Sequence, residues 1–342
     1  MSCPREERER AEHYIIGPYG LLSENSRGRL TPEDECCIRT CFQRDIDRIT
    51  HSKSFRRLKH KTQVFLQPEG DHYRTRLTHT LEVSRLARTV ARALALNEDL
   101  AEAIALGHDL GHTPFGHAGE RALAKIYPGG FKHYEQSLRV VDILERDGRG
   151  LNLCYETRMG ILHHTHGAPD DTPEAVAVRL CDRIAYVNHD LDDSIRAGIL
   201  TDADVPELIR KNCGERNSER INSMLTDLIE NSADGVLKMS DKMQKTFDFF
   251  HAFMYSDVYT NPCAKSEESK VEGILSRLYD YYTAHPDALP EDFRGIIERE
   301  GALRACKVMR VCPKCDKPTR VAHKFTENGT KLTVCKHCGE TL

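Results

Sequence analysis

Apolar residues recur at helical spacing along most of this chain, and the pattern predicts a fold built almost entirely of α-helices. One stripe begins beside Thr78 and continues with separations of three and four residues through His79, Val83, Leu86, Val90 and Leu94. A second helix starts at Asn97, and its alanine-rich body ends near residue 109. A short connection makes two such helices antiparallel, so His79 is expected close to His108 and Asp109.

Cap signals place two further helix starts. Thr31 precedes Pro32 and Thr172 precedes Pro173, and each pair is typical of an N-cap followed by a first-turn proline. Helices are therefore predicted from residue 32 and over 173–193. Other helical patterns cover 133–147, 156–165, 217–231, 236–255, 267–283 and 291–305. Residues 63–67 are the best strand candidate, with a turn at 68–71.

The pattern also divides the chain into three parts. Residues 1–30 contain several glycines and little periodicity, which indicates an extended N-terminal arm or loop able to dock on a neighbour. Residues 31–305 form the all-α domain. Residues 306–342 contain the pairs CPKC and CKHC, and this spacing is typical of a zinc ribbon. Its expected structural zinc ligands are Cys312, Cys315, Cys335 and Cys338. Coincidental reduced cysteines are the alternative.

Composition excludes several classes of protein. The 342 residues are 39% hydrophobic and 30% charged, and no apolar run approaches the ~20 residues of a membrane span. The charged N-terminus has no apolar signal segment, so we expect a cytoplasmic protein that does not bind membranes. Thirteen cysteines, an odd number, then indicate reduced thiols. Between residues 39 and 92 there are 13 Lys or Arg against 5 acids, which fits either an anionic ligand or a solvated helix face.

The segment HDLGHTPFGHAGE at 108–120 carries the densest candidate chemistry. Imidazole and carboxylate ligands suit divalent ions of intermediate softness, and the glycines and proline after Asp109 end the helix there. A metal that activates water needs several protein ligands, so another carboxylate is required. Asp182 lies among apolar residues of the 173–193 helix, where an unpaired charge is costly. Metal ligation and an arginine salt bridge both explain it.

Long segments of this chain resemble one known family. Besides His79, the HD pair at 108–109 and Asp182, the resemblance rests on seven stretches that together span roughly residues 15–300. These are RDIDRITHSKSFRRLKHKTQVF (44–65), GDHYRTRLTHTLEVSRLAR (70–88), HDLGHTPFGHAGE (108–120), FKHYEQSLRVVDIL (131–144), YETRMGILHHTHG (155–167), DRIAYVNHDLDD (182–193) and VYTNPCAKSEE (258–268). The chain resembles the HD-domain dNTP triphosphohydrolases of the dGTPase type.

The resemblance implies a helical HD-domain core, and it implies hydrolysis of dGTP or several dNTPs to deoxynucleoside and inorganic triphosphate, which contributes to control of dNTP pools. It favours metal ligation for Asp182. The residues that match the family's metal ligands are His79, His108, Asp109 and Asp182. The metal itself stays open among Mn, Fe, Mg, Co and Ni.

Further site residues follow from the same resemblance and from their chemistry. The expected substrate-binding residues are Gln63 at the nucleoside end, Arg76 and Arg183 at the phosphates, and Tyr186 packed on the substrate. We hypothesise that His117 and His133 transfer protons, that His112 binds phosphate or orients water, and that Glu120 fixes the tautomer of a neighbouring histidine. His164 and its neighbours are interpreted as supporting or structural histidines.

Two alternatives stay open at this point. HD domains also include nucleotidases and phosphodiesterases, which the four ligands alone do not separate from triphosphohydrolases. A nucleic-acid-binding regulatory protein is the other alternative, because residues 304–342 contain nine Lys or Arg against three acids and include Phe325. Contact of the ribbon with DNA or RNA, an allosteric nucleotide and a homo-oligomer are further expectations.

Overall fold

The structure is a computed structural model, and its described residues fall mainly in the first 289 positions. They are 3–61, 63, 74–261 and 268–289, followed by 310–311, 314–315, 318–319, 321–325, 331–338 and 340–341. The chain divides into two compact units, Met1–Gly295 and Ile296–Leu342. The predicted boundary at 305/306, like the predicted helix over 291–305, lies outside the described residues.

Helices make up almost all the regular structure described in the first unit, which confirms the all-α prediction. They are α1 (Pro4–Ile15), α2 (Cys41–Thr50), α3 (Lys53–Arg57), α4 (Arg76–Ala93), α5 (Glu98–Gly107), α6 (Gly116–Ile126), α7 (His133–Arg139), α8 (Glu145–Gly148), α9 (Tyr155–His163), α10 (Pro173–Arg196), α11 (Glu207–Cys213), α12 (Asn217–Asn231), α13 (Asp241–Met254) and α14 (Glu268–Ala284). Two π-helical turns, Val140–Leu144 and Tyr255–Tyr259, follow α7 and α13. Among the described residues, no helix combines the length and the apolar character needed to cross a membrane.

Helices α4, α5 and α10 form the centre of the core. The Asn97 side chain caps α5, and the short connection from α4 turns the chain back so that the two helices pack together. Helix α5 is buried on nearly all sides because α2, α4, α9 and α10 surround it. Buried residues such as Val83, Leu100 and Ile104 each stabilise the fold by about 1.5–3 kcal/mol. This core fixes the ends of α4 and α5, where His79 and His108 lie.

The N-terminal segment differs from the predicted extended arm. Pro4–Ile15 form α1, because Pro4 occupies the first turn, acidic residues follow it, and Arg5 pairs with Glu9 one turn later at 2.5 Å. The chain after α1 is irregular and docks on the core of the same chain. The backbone nitrogen of Gly17 donates to the Ala95 carbonyl at 2.7 Å, and that of Leu21 donates to the Glu174 carboxylate at 2.9 Å.

The predicted helix start at Thr31 is also wrong, since α2 begins at Cys41 with Thr40 as its cap. A distant side chain explains the difference: Asn152 binds both the backbone nitrogen and the carbonyl of Thr31, at 3.0 and 2.8 Å. Glu33, two residues after Thr31, forms ion pairs with arginines that include Arg48, at 2.6 Å. The predicted strand lies outside the described residues except for position 63, and its turn at 68–71 lies outside them entirely.

The second unit contains two short antiparallel ladders among its described residues. Strand β1 (Arg310–Val311) pairs with β2 (Pro318–Thr319), with Arg310 opposite Thr319. Strand β3 (Val321–Phe325) pairs with β4 (Lys331–Cys335), with Val321 opposite Cys335. Residues 336–338 form a turn directly after β4. The described part of this unit is therefore built on β-ladders, in contrast to the helices described in the first unit.

Candidate active site

A cavity of about 570 Å³ opens between the start of α4, the loop and helix after His108, the middle of α10 and the end of α13. It brings together ten of the twelve residues that the sequence proposes for metal, substrate and proton transfer. The ten are Gln63, Arg76, His79, Asp109, His112, His117, His133, Asp182, Arg183 and Tyr186. The other two, His108 and Glu120, contact lining residues from behind. Residues far apart in the chain thus line one cavity.

The proposed metal ligands converge at its floor. His79 Nε2 lies 3.0 Å from Asp182 Oδ1, and His108 Nε2 lies 3.7 Å from both that oxygen and Asp109 Oδ1. His79, His108 and Asp109 each offer a ligand atom within 4.8 Å of the others. The side chain of Asp182 is 17% exposed, whereas the other three are almost fully buried. The partner of Asp182 is thus a histidine, and its position beside His108 agrees with metal ligation.

The residues present fit a divalent ion. His108 Nδ1 donates to the Ala105 carbonyl at 2.6 Å, so Nε2 carries the lone pair. This buried nitrogen finds no hydrogen-bond partner among the described residues, although it points at two carboxylates. Orientation of one ring nitrogen by a backbone carbonyl is typical of histidines that bind a metal through the other nitrogen. Two imidazoles and two carboxylates suit Mn, Fe, Co or Ni, and Mg is also compatible with the oxygens.

Charge at the floor is balanced by Arg76, whose Nη1 donates to Asp109 Oδ2 at 2.7 Å. Burial alone would raise the pKa of Asp109, but Arg76 and His108 outweigh it and hold that pKa well below its ordinary value. Burial likewise acts to raise the pKa of Asp182, and the hydrogen bond from His79 helps to lower it to about 2. Both carboxylates are therefore ionised at neutral pH. Arg76, proposed for phosphate binding, thus orients Asp109, a proposed metal ligand. Its buried Nε has no hydrogen-bond partner among the described residues.

Beside the floor, Glu120 joins two of the proposed proton-transfer histidines. One carboxylate oxygen accepts from the backbone nitrogen of His133 at 2.8 Å and from its Nδ1 at 2.9 Å. The other oxygen lies 3.1 Å from Nδ1 of His117, one turn earlier on α6. Burial acts to raise the pKa of Glu120, but the hydrogen bonds from His117 and His133 outweigh it and lower that pKa strongly. The carboxylate is ionised and fixes both rings.

Two further histidines enclose His133. His112 stacks on it with ring centroids 4.1 Å apart, and burial lowers the pKa of His112 well below its ordinary value, which keeps that ring neutral. His164 Nε2 lies 3.1 Å from His133 Nε2, while His164 Nδ1 donates to the Ile161 carbonyl at 2.7 Å. His164 lines the cavity, although the sequence assigned it only a supporting or structural place. The one sequence signal for a cavity-lining residue here was the presence of three histidines in the segment HHTH at 163–166.

The opposite wall is aromatic and comes from α10 and α13. The Arg183 guanidinium lies 5.1 Å from the centre of the Phe247 ring, and Tyr186 meets His251 edge to face. Burial raises the pKa of Tyr186 to about 12, so its hydroxyl stays protonated. The sequence did not single out His251 as a lining residue, because nothing in the helical pattern of α13 distinguishes a cavity-facing histidine from a solvated one.

At the deep end of this wall, Tyr259 donates its hydroxyl to Asp190 at 2.5 Å. Burial raises the pKa of Asp190 to about 7. Both residues line the cavity, and Gln63 presents a buried Oε1 with no hydrogen-bond partner among the described residues. From the sequence, neither Asp190 nor Tyr259 was assigned a place in the site. The sequence signal that could have identified Tyr259 is its position in the segment VYTNP, which belongs to one of the stretches that resemble the family.

Comparisons with known proteins agree with this geometry. Residues 76–187 match the HD domain, residues 237–311 match the phosphohydrolase-associated domain, and residues 284–342 match the C-terminal domain of large ribosomal subunit protein uL24. A deoxyguanosinetriphosphate triphosphohydrolase-like protein from Caldanaerobacter subterraneus subsp. tengcongensis is 50% identical over 302 residues, which cover 88% of this chain and 89% of that protein. Another, from Desulfatibacillum aliphaticivorans, is 50% identical over 310 residues, with 86% and 88% covered. A solved hypothetical protein from Aquifex aeolicus aligns with a TM-score of 0.48 at 19% identity, covering 69% of this chain and 61% of that one, and the assignment does not depend on it.

The all-α fold, the match to the HD domain and the cluster of His79, His108 and Asp109 define an HD-domain phosphohydrolase, a class that binds a divalent metal ion. Within that class, the chain belongs to the family of deoxyguanosinetriphosphate triphosphohydrolase-like proteins. The resemblance inferred from the sequence is therefore confirmed.

Proposed function

We propose that this protein hydrolyses deoxynucleoside triphosphates, dGTP or several dNTPs, to deoxynucleoside and inorganic triphosphate, and thereby contributes to control of dNTP pools. One observation carries the proposal: a single cavity joins two imidazoles and two carboxylates fit for a metal to an adjacent group of histidines organised by Glu120. Water has to attack the α-phosphorus and the bond to the 5′ oxygen has to break, so the reaction needs both parts.

Positive charge around the floor supports a polyphosphate substrate. A triphosphate carries about four negative charges, and guanidinium groups bind phosphate oxygens in pairs. Arg183 and Arg121 line the cavity from opposite walls, and Arg76 lies at its floor. We assign phosphate binding to Arg183 first. Arg76 keeps Asp109 ionised and oriented through their 2.7 Å ion pair, and it contributes its remaining donors.

Proton transfer is assigned to the residues that Glu120 holds. When bound, a divalent ion supplies Lewis-acid polarisation of the phosphoryl group and a lowered pKa for water. His117, held by Glu120 at 3.1 Å and 66% exposed in its side chain, takes the proton of the attacking water. His133, held between the Glu120 carboxylate at 2.9 Å and the Nε2 of His164 at 3.1 Å, donates the proton that the leaving 5′ oxygen requires. Neutral His112 orients water or phosphate.

The aromatic wall suits the nucleoside. Tyr186 offers a ring on which a deoxyribose or base packs, and the buried Oε1 of Gln63, which has no hydrogen-bond partner in the part of the chain that the structure describes, is an acceptor for a base or sugar donor. A site that buries a polar group without a partner discriminates strongly in favour of ligands that supply one. Gln63 and Tyr186 are therefore assigned to the nucleoside end.

Product identity tests the proposal. Phosphorus NMR of a dGTP reaction with Mn²⁺ is expected to show inorganic triphosphate as the phosphorus-containing product, and chromatography is expected to show deoxyguanosine. Orthophosphate or pyrophosphate as the first product would refute the assignment. Hydrolysis of nucleoside monophosphates or cyclic dinucleotides in preference to dNTPs would instead support the nucleotidase or phosphodiesterase alternative.

The metal requirement is tested with Asp109→Asn. The amide keeps the volume of the carboxylate, whereas alanine would leave buried Arg76 without its 2.7 Å partner. Activity is expected to fall by at least about 10³-fold with the melting temperature within a few degrees of wild type. A panel of Mn, Fe, Mg, Co and Ni with the four dNTPs, singly and in pairs, identifies the metal, the base preference and any allosteric nucleotide.

A second function, binding of DNA or RNA, is assigned to residues 306–342. It is supported by the nine Lys or Arg against three acids over 304–342. Gel retardation at low salt is expected for the full chain and is expected to disappear, with hydrolysis retained, when these residues are deleted. No retardation at low salt would remove this function. The expected homo-oligomer is tested on the same preparations by light scattering.

A further inference from the structure

Three thiols of the second unit lie together without belonging to the active site. Cys315, Cys335 and Cys338 each offer a sulfur within 4.8 Å of the others, and the sulfurs of Cys315 and Cys335 are 3.8 Å apart. That separation is too long for a disulfide bond of ~2.05 Å and matches two sulfurs on the same tetrahedral metal. Cys335 is 1% exposed, whereas Cys338 is exposed. The cluster therefore has one buried and one accessible edge.

The β-ladders explain why these cysteines meet. The pairing of Val311 with Pro318 brackets the first CxxC pair, so residues 312–317 form the connection between β1 and β2. The second pair begins at Cys335, the last residue of β4, and continues into the turn at 336–338. Cys315 and Cys338 thus lie in turns next to paired strands, and Cys335 ends β4, so the ladders bring these three sulfurs to one point.

Contacts between the two pairs fix their distance. Lys314, inside the first pair, forms a 2.5 Å ion pair with Glu340, just after the second. The backbone nitrogen of Cys335 donates to the Glu340 carbonyl at 2.7 Å, which folds the end of the chain back onto the second pair. The backbone nitrogen of His337 donates to the Cys335 sulfur at 3.4 Å. A hydrogen bond of this kind stabilises a thiolate more than a neutral thiol.

From these contacts we infer that the second unit holds a structural zinc ion on the thiolates of Cys315, Cys335 and Cys338. Cys312, which the CxxC spacing predicts as a further ligand, lies outside the described residues. The inference is independent of the proposed function, because no residue of the active site contributes to it.

Size and donor chemistry favour zinc. Val334 and Cys335 are buried among the side chains that the structure describes in this unit. A unit this small cannot build a large apolar core, and a bound metal would stabilise it. On binding, each thiol loses its proton and forms a bond to Zn²⁺ of about 2.3 Å, with no change in oxidation state. Soft thiolates separate this site chemically from the nitrogen and oxygen ligands of the first unit.

Metal content of the full chain tests the inference. In an Asp109→Asn background, which removes a ligand of the active-site metal, plasma mass spectrometry is expected to find about one zinc per chain. Adding Cys335→Ser or Cys338→Ser is expected to remove that zinc, whereas Cys338→His, which keeps a zinc-binding side chain, retains it. The matched control is Cys37→Ser, an exposed cysteine of the first unit, which is expected to change nothing.

Cobalt substitution gives a readout specific for sulfur ligands. Protein stripped of metal under reducing conditions and loaded with Co²⁺ is expected to show thiolate-to-cobalt charge-transfer absorption in wild type and in Asp109→Asn, but not in Cys338→Ser. Because Cys338 is exposed, its replacement by serine tests metal binding even if Cys335→Ser prevents folding of the unit. A wild-type protein without this absorption, zinc retained in both serine variants, or a disulfide between these cysteines in reduced cell lysate would each overturn the inference.

Discussion

Gly111, two residues after Asp109, provides a direct test of how the site is positioned. Its backbone nitrogen donates to the Ser137 hydroxyl at 2.9 Å, and that hydroxyl donates to the His108 carbonyl at 2.7 Å. A Cβ at position 111 would lie 2.1 Å from the Ser137 nitrogen and 2.6 Å from the His133 carbonyl oxygen. All of these neighbours belong to α7, which carries His133. Gly111→Ala therefore forces apart the metal-binding loop and the helix that carries His133.

The magnitude follows from these distances. Backbone atoms now 2.1 Å from the new carbon have to retreat by about 1.4 Å to reach ordinary contact. Overpacking of this kind costs about 1–3 kcal/mol, equivalent to about 2–4 °C in melting temperature for each kcal/mol. A catalytic group displaced by about 1 Å loses roughly 10²-fold in rate. Because His133 moves with α7, we expect kcat to fall far more than stability.

The assay compares initial rates of triphosphate release with thermal melting for Gly111→Ala and a matched control. Gly273 lies within α14, where an added Cβ meets no atom within 4 Å. Gly273→Ala is expected to raise stability by about 0.5–1 kcal/mol and to leave kcat unchanged. A Gly111→Ala protein with wild-type kcat would show that the contact between the loop and α7 does not position the catalytic groups.

Three further substitutions test single contacts. Glu120→Gln is expected to lower kcat by about 10²-fold. Because the pKa of the Glu120 carboxyl is lowered in the folded protein, its contribution to the free energy of unfolding is present above the ordinary pKa of ~4.3 and is lost as the pH falls. Urea unfolding curves of the variant and the wild type should therefore converge in acid, and a constant difference between them would contradict this. His164→Leu is expected to lower kcat with little change in KM, because His133 loses the hydrogen-bond acceptor at 3.1 Å. His164→Gln, which keeps a polar side chain, should recover part of the lost activity. Equal kcat values for the two variants would show that His164 acts only by packing. Arg183→Met is expected to raise KM for dGTP about tenfold with kcat nearly unchanged, measured by steady-state kinetics, and an unaltered KM would remove Arg183 from phosphate binding.

Local pattern was enough for the elements whose stability depends on nearby residues. The stripe from His79 to Leu94 and the cap at Asn97 predicted α4, α5 and their packing, because a short connection leaves two amphipathic helices few other arrangements. Thr172 with Pro173 likewise predicted the start of α10. In these cases the signals for capping, periodicity and burial agree, so the tertiary structure had nothing to override.

Predictions failed where a distant residue competes with the local signal. Thr31 carries a good cap sequence, yet Asn152 binds its backbone and the helix begins at Cys41. The N-terminal glycines suggested an extended arm, although the residues before them form a capped helix. A propensity is worth a fraction of a kcal/mol per residue, so two long-range hydrogen bonds are sufficient to reverse it.

The sequence by itself determined the chemistry available to this protein: imidazoles and carboxylates for a metal, arginines for phosphate, paired thiols for a second metal and a resemblance that named the family. Only the tertiary structure decided how these groups are used. It gave Asp182 a histidine partner, turned Arg76 toward Asp109, and placed His164 against His133, which is 31 residues away in the chain. Periodicity records which face of a helix is buried, whereas contacts between faces depend on how separate helices pack.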